Sequence, residues 1–351
     1  MKTRTGLAAA GLLFLIAACG GSNTATTSGS SCTSGSDDVY VVENASCATG
    51  EGKLSRVNPD VPCKEEIVTG LNCPVDFVLS AVDSGIGYLS SRVDGIIQVN
   101  VTAKTKTTIT CDDCFTNSAE ANGGPAGLFL MENVTSAEKT ELCAGIVDED
   151  FLATVDTILF IADEGGNEAG SILRWCLVTD DVSAEASPET VISTADIENP
   201  RGVTVIDRET IYATGILAQT DENEEDQEVG VLVSRDVGGT ETTSILLQDL
   251  TTSVKDIQVD DDGNLLIADS GNSAIVRYDT SAMTTETFSG FTDGPRDLVP
   301  IGTNSEGTSE YLVSEFDGDL ISRTTLVVGS DIETTTTGVT LAGPDGIALS
   351  Q

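Results

Sequence analysis

A four-residue element runs through this chain at intervals: a proline, a variable residue, a glycine or aspartate, then an apolar residue. It stands at Pro74-Val75-Asp76-Phe77, Pro125-Ala126-Gly127-Leu128, Pro200-Arg201-Gly202-Val203, Pro295-Arg296-Asp297-Leu298 and Pro344-Asp345-Gly346-Ile347. A sixth copy, Val254-Lys255-Asp256-Ile257, lacks only the proline. Short runs rich in Val, Ile, Leu, Thr and Tyr follow the copies, bounded by Gly, Asp and Asn, and they read as strands. The clearest pairs are 158–163 with 170–175, and 265–269 with 274–278. Weaker fourth strands follow, such as 107–110, 244–247 and 285–288. Amphipathic helical patterns are nearly absent. Four strands in about 50 residues is the period of a β-propeller blade.

The two ends of the chain complement each other. Residues 343–349 form a first strand with no second strand after it, whereas 39–43 and 53–57 are second and third strands with no first. Joined across the termini they complete a sixth blade and close the ring, which leaves no open sheet edge there. The expected fold is therefore all-β, a six-bladed propeller of four-stranded antiparallel blades over residues 38–351. The hydrophobic content of 39% and mean hydropathy of +0.04 suit a packed core of this kind.

The stretch 259–272, with Ile275-Val276-Arg277-Tyr278 after it, resembles NHL-repeat propellers and the wider gluconolactonase-like six-bladed superfamily. The resemblance extends more weakly over residues 38–351. It implies the fold and no single activity, because the fold hosts hydrolases, lyases and binding modules alike. In the gluconolactonase type, carboxylates and amides around the channel hold a divalent cation. Here Asp345 matches that pattern, and Asp76 and Asn199 are partial substitutes. Calcium would be the cofactor of such a site. Most other matching positions are basic or apolar.

The N-terminus reads as an export address. Lys2 and Arg4 precede an apolar run that ends Ile16-Ala17-Ala18-Cys19. The run suits a signal-peptide core and is too short to span a bilayer. It resembles the lipobox of bacterial lipoproteins, which implies a signal peptide at 1–18 and a lipid on Cys19 that anchors the protein to a membrane. Gly20 is compatible with the outer membrane of a Gram-negative bacterium. Residues 19–37, rich in Gly, Ser and Thr, read as a flexible tether. Cell-envelope location fits the remaining eight cysteines, an even number that reads as disulfides. Near-neighbour pairing is expected: Cys32–Cys47, Cys63–Cys73, Cys111–Cys114 and Cys143–Cys176.

The sequence carries 57 acids against 17 bases, a net charge of -40, and no histidine. The charge argues against nucleic acid and anionic headgroups as partners of the folded part. The missing histidine excludes a Ser-His-Asp triad and imidazole metal ligands. Arginine recurs in third strands, at Arg56, Arg174, Arg235, Arg277 and Arg323. Acids end second strands, at Glu43, Asp163, Asp269 and Glu315. The repetition reads as cross-strand ion pairs. Asp260-Asp261-Asp262-Gly263 is expected to be an ordinary turn, and the acidic run 221–228 a solvated loop. The insertion 132–156, with Cys143, is a candidate cap and partner surface.

Around the ring the variable residue of the repeated element runs Val75, Ala126, Arg201, Lys255, Arg296 and Asp345. Its turn is expected at the channel mouth. Two readings stay open: a ring of salt bridges with neighbours such as Asp256 and Asp297, or a site for an anionic or carboxylate-bearing ligand. The pattern points to a ligand-binding or protein-interaction module with a small anionic ligand or an envelope protein as partner. The alternative is a divalent-metal-dependent lactonase or esterase at the channel mouth.

Overall fold

The computed structural model describes Cys32 and residues 38–349, except 45–46, 48–49, 62, 84, 110–113, 116–122, 147, 166–169, 179–186, 194, 221–225, 238–241, 292–293, 306–307, 327–332, 338 and 340. Its strands form six antiparallel four-stranded sheets. Each sheet is a blade that begins with an inner strand carrying the repeated element. Blades 1 to 6 start at Pro74–Leu79, Pro125–Glu132, Gly202–Ile206, Val254–Val259, Pro295–Thr303 and Pro344–Leu349. Blade 6 closes the ring as expected. Its inner strand pairs antiparallel with Val39–Glu43, which continues to Gly52–Asn58 and Cys63–Leu71.

Six apolar clusters hold the blades together, one between each adjacent pair. Tyr88 and Ile96 of blade 1 meet Leu159, Ile161 and Trp175 of blade 2. Phe160 and Ile172 of blade 2 turn the other way, onto Val203, Ala213 and Val231 of blade 3. The same division repeats around the ring, and between blades 5 and 6 it joins Leu312 and Ile321 to Val41 and Ile347. A strand's side chains alternate between its faces. A strand buried on both faces therefore needs an unbroken apolar run, which is why Thr157–Asp163 is buried at every position.

Two expectations are corrected by strand geometry. The bridges are Cys32–Cys63, Cys47–Cys73 and Cys143–Cys176, so only the last expected pair among these six cysteines forms. Cys63 and Cys73 flank the 9-residue strand Cys63–Leu71. An extended strand of that length separates its ends by roughly 30 Å, far beyond disulfide reach. The strand Val39–Glu43 likewise separates Cys32 from Cys47. Cys19 and Cys111 lie outside the described residues, and Cys114 is disulfide-bonded.

The acids that end second strands do not pair with the third-strand arginines. In register, Glu43 faces Lys53 while Arg56 faces Tyr40. Asp163 faces Ser171 while Arg174 faces Phe160. The offset is three residues, which places acid and arginine on opposite faces. It recurs for Asp269 with Arg277 and for Glu315 with Arg323. The arginines find other carboxylates: Arg56 with Asp38 and Glu65, Arg174 with Glu189, Arg277 with Asp260, and Arg323 with Asp60. Glu43 and Glu315 accept instead from Ser55 and Ser322, one residue along the same face.

The turn at Asp260 is an ordinary one, closed by Asp262 and Asn264 amides donating to Asp260 Oδ1. The acidic run is partly strand, since Asp226–Asp236 begins within it, and 221–225 lie outside the described residues. The insertion carries two short helices, Ser136–Leu142 and Glu149–Thr154. Leu142 and Val155 extend the cluster between blades 2 and 3, and Arg208 of blade 3 pairs with Glu138 at 2.6 Å.

The inner strands approach one another closely around the axis. A Cβ on Gly346 would lie 2.6 Å from the Asp76 Cα and 2.9 Å from the Val75 carbonyl oxygen. Backbone on both sides leaves no flexible group to yield. Gly346→Ala is expected to destabilise the protein by about 1–3 kcal/mol in chemical denaturation, the usual cost of overpacking. Wild-type stability in that variant would show that the ring has slack at its axis.

Candidate functional site

In five of the six blades the repeated element is a register irregularity at the start of the inner strand, whereas in blade 3 the pairing runs in step from Gly202. Pro74, Pro125, Val254 and Pro295 each pair with the end of the second strand. Pairing then resumes at Phe77, Leu128, Ile257 and Leu298, with the two residues between left out of step. Blade 6 shifts at the same place. Such bulges re-aim side chains. All six variable residues, Val75, Ala126, Arg201, Lys255, Arg296 and Asp345, line one cavity at the channel mouth.

Backbone ties between blades fix these positions. Ser90 Oγ donates to the Ala126 carbonyl, Thr214 Oγ1 to that of Lys255 at 2.6 Å, and Ser314 Oγ to that of Asp345 at 2.6 Å. Between blades 2 and 3 the Gly127 amide donates directly to the Arg201 carbonyl at 2.8 Å. The backbones that carry the mouth side chains are thus anchored by the preceding blade.

Three further residues reach the mouth from the position just after the second strand. Arg92 of blade 1 and Glu164 of blade 2 line the cavity, and Phe316 of blade 5 stacks under Arg296, 4.4 Å from ring centroid to guanidinium carbon. Glu164 Oε1 binds Arg92 at 2.7 Å and also Arg201. Blades 1 to 3 are thereby neutralised in part. On the other side, Lys255 and Arg296 have no carboxylate within ion-pair distance among the described residues. The expected salt bridges of Lys255 with Asp256 and Arg296 with Asp297 do not form; both carboxyls line the same cavity but turn to each other.

Those two carboxyls and Asp76 form a buried layer below the cations. Asp76 Oδ2 accepts from the Leu128 amide of the next blade at 2.7 Å, and Asp297 Oδ2 from that of Ile347 at 2.6 Å. Room comes from glycines on the preceding blade: a Cβ on Gly346 would stand 2.7 Å from Asp76 Oδ1, and one on Gly202 2.7 Å from Asp256 Oδ1. Asp256 faces Asp297 instead, and the two carboxyls are in hydrogen-bond contact. Burial pushes all three carboxyls up, Asp76 and Asp297 well above the usual range, with mutual repulsion adding to the effect. Both carboxyls are raised, so the pair shares a proton.

Burial, and then Arg201 and Arg296 beside it, lower Lys255 to about 7. The cavity therefore sets four bases, Arg92, Arg201, Lys255 and Arg296, against five acids, of which Asp76, Asp256 and Asp297 are pushed toward the neutral form by burial while Glu164 and Asp345 complete the set. This donor set suits an anion. It does not suit a divalent cation: Asp345 and Asp76 line the cavity but Asn199 does not, and the guanidinium groups would repel the ion. Among the described residues no group of three or more His, Cys, Asp or Glu is arranged to hold a metal.

Sequence reasoning missed Arg92, Glu164 and Phe316. Their shared position after the second strand was the available signal, yet its residue type varies from blade to blade.

No family model and no curated protein matches the sequence. Among solved structures, a chain from the crystal structure of a nidogen/laminin complex superposes with a TM-score of 0.59 at 14% identity, over 90% of this chain and 98% of that one. At that identity the likeness shows the six-bladed fold.

The Asp256–Asp297 pair links stability to pH. The folded carboxyls are raised, so the native state binds more protons than the unfolded one above the ordinary carboxylate range. Stability is then fully present in acid and falls as pH rises through the folded values. Asp256→Asn replaces the shared proton with an amide hydrogen. Its thermal midpoint is expected to fall less than wild type's between about pH 4 and pH 8. An equal loss of stability at every pH would rule out proton sharing.

Proposed function

We propose that the protein is a lipid-anchored module of the cell envelope whose channel mouth binds a small carboxylate-bearing ligand. The observation that carries this reading is a cavity that gathers four bases beside five acids, three of those acids buried and pushed toward their neutral form, in a chain of net charge -40. A chain with so few bases places three of them on consecutive inner strands at one concave site. Charge-assisted hydrogen bonds to a carboxylate are strongest in such a water-poor recess. The anchored location is supported by the lipobox-like Ala17-Ala18-Cys19 and by the disulfides, which form and persist in oxidising compartments.

The roles divide by side of the cavity. Lys255 and Arg296 offer unpaired positive charge to the ligand. Arg201, already shared with Glu164, closes the opposite wall. Asp345 stands between Arg296 and the neutralised half, and would select for ligands with a hydroxyl or other donor beside the carboxylate. The insertion lies elsewhere. The inner strand of blade 2 runs from Pro125 at the mouth to Glu132, and the helices follow it, so a protein partner docked on them would sit at the opposite end of the channel.

Calorimetry with a panel of small hydroxy and oxo monocarboxylates tests the reading. Saturable binding to the wild-type protein is expected, weakened in Arg296→Ala by about 10- to 100-fold, the worth of one charge-assisted hydrogen bond. Binding that is absent across the panel, or indifferent to Arg296, would sink it.

A further inference from the structure

Among the described lysines Lys255 stands apart. Elsewhere Lys53, Lys64 and Lys104 pair with Glu66, Glu43 and Glu65. Lys106 donates to the Thr69 and Gly70 carbonyls, and Lys139 to that of Ala153. Among the described residues Lys255 Nζ has no such acceptor, although the chain holds 57 acids to supply one. Its backbone is nevertheless fixed, by Thr214 Oγ1 on its carbonyl at 2.6 Å. The amine stands in the cavity between Arg201 and Arg296, with Glu164 and Asp345 farther off and the Asp256–Asp297 pair beneath.

A desolvated amine beside other cations is the arrangement that makes a lysine nucleophilic. Two physical effects work together here. Burial disfavours the ammonium, and so do the two guanidinium groups, which hold Lys255 near 7 and leave a substantial neutral fraction at neutral pH. The same guanidinium groups attract a carboxylate, which would bring any carbonyl attached to it against the amine.

We propose that Lys255 forms an imine with small oxo acids, molecules that carry an aldehyde or ketone next to a carboxylate. This rests on the anion-binding reading of the same cavity and names the ligand class more narrowly. The Lys255 nitrogen adds its lone pair to the carbonyl carbon, and a proton passes from that nitrogen to the carbonyl oxygen, which restores the lone pair. A second proton converts the hydroxyl to water, which leaves as the nitrogen lone pair forms the C=N bond. The product is a protonated imine and one water, with no change in oxidation state. Arg201 or Arg296 holds the carboxylate, and the iminium keeps the positive charge that the ammonium had.

The purified full-length protein is incubated with glyoxylate and sodium cyanoborohydride, whose hydride reduces the iminium to a stable secondary amine. Peptide mapping then reads out N-carboxymethylation at each lysine. Lys255 is expected to be modified at least about tenfold faster than the other lysines, and Arg296→Ala to lower its rate by about tenfold. Propionaldehyde, which lacks the carboxylate, is expected to modify Lys255 more slowly than glyoxylate by a similar factor. Even labelling over the lysines overturns the proposal. If carboxylates bind by calorimetry but Lys255 stays unmodified, the imine fails and the binding reading stands. If Lys255 reacts equally with glyoxylate and propionaldehyde and no carboxylate binds, the amine is reactive but the anion site fails, and the proposal falls with it.

Discussion

Six inner strands converge on one axis, and the space they leave there governs the rest of the molecule. A Cβ on Gly127 would stand 2.5 Å from the Arg201 carbonyl oxygen, and one on Gly202 would meet Asp256. The third residue of the repeated element must therefore be glycine wherever the neighbouring strand presses in. Where it is aspartate, the carboxyl reaches across to the next blade's amide and replaces a direct backbone tie. The alternation of glycine and aspartate is a packing solution first. Its chemical consequence follows from the one place where two aspartates fall on consecutive blades, since the Asp256 and Asp297 carboxyls share a buried contact that a proton must occupy.

The bulge that accompanies this crowding decides what lines the mouth. In five blades two residues of the inner strand leave the ladder, so the variable one is released from sheet pairing and its side chain is free to differ. That is why the fold tolerates valine, alanine, arginine, lysine and aspartate at equivalent places around one ring. Structure fixes where these side chains point, and sequence alone decides their charge. The clustering of Arg201, Lys255 and Arg296 on consecutive blades is thus a choice of sequence at positions the fold leaves open.

Legibility in the sequence followed the same division. The strand periodicity, the ring closure and the six mouth positions were readable, because each repeats with the blade. The disulfides were not, since sequence neighbours such as Cys63 and Cys73 stand at opposite ends of an extended strand. The ion pairs were misread because a recurring acid and a recurring arginine suggest a pair, whereas their three-residue offset turns them to opposite faces. Arg92, Glu164 and Phe316 escaped notice because the position they share carries no repeated residue type. The buried state of Asp76, Asp256 and Asp297 depends on distances across the axis, between residues as much as about 220 positions apart, which no local pattern encodes.

The acidic surface bears on how an anion could reach this mouth. At long range a body of net charge -40 repels it, and the repulsion is strongest where salt is low. The attraction of the cavity is confined to its interior, where low dielectric strengthens it and salt weakens it less. The two terms therefore respond differently to ionic strength: entry is eased by salt that screens the outer acids, while the contacts inside are largely kept. A ligand with several negative charges is penalised more by the outer field than a monoanion, and a cavity closed in by six converging inner strands admits only a small one. Field and volume together favour a compact monocarboxylate, the size and charge that an amine at Lys255 could address through an adjoining carbonyl.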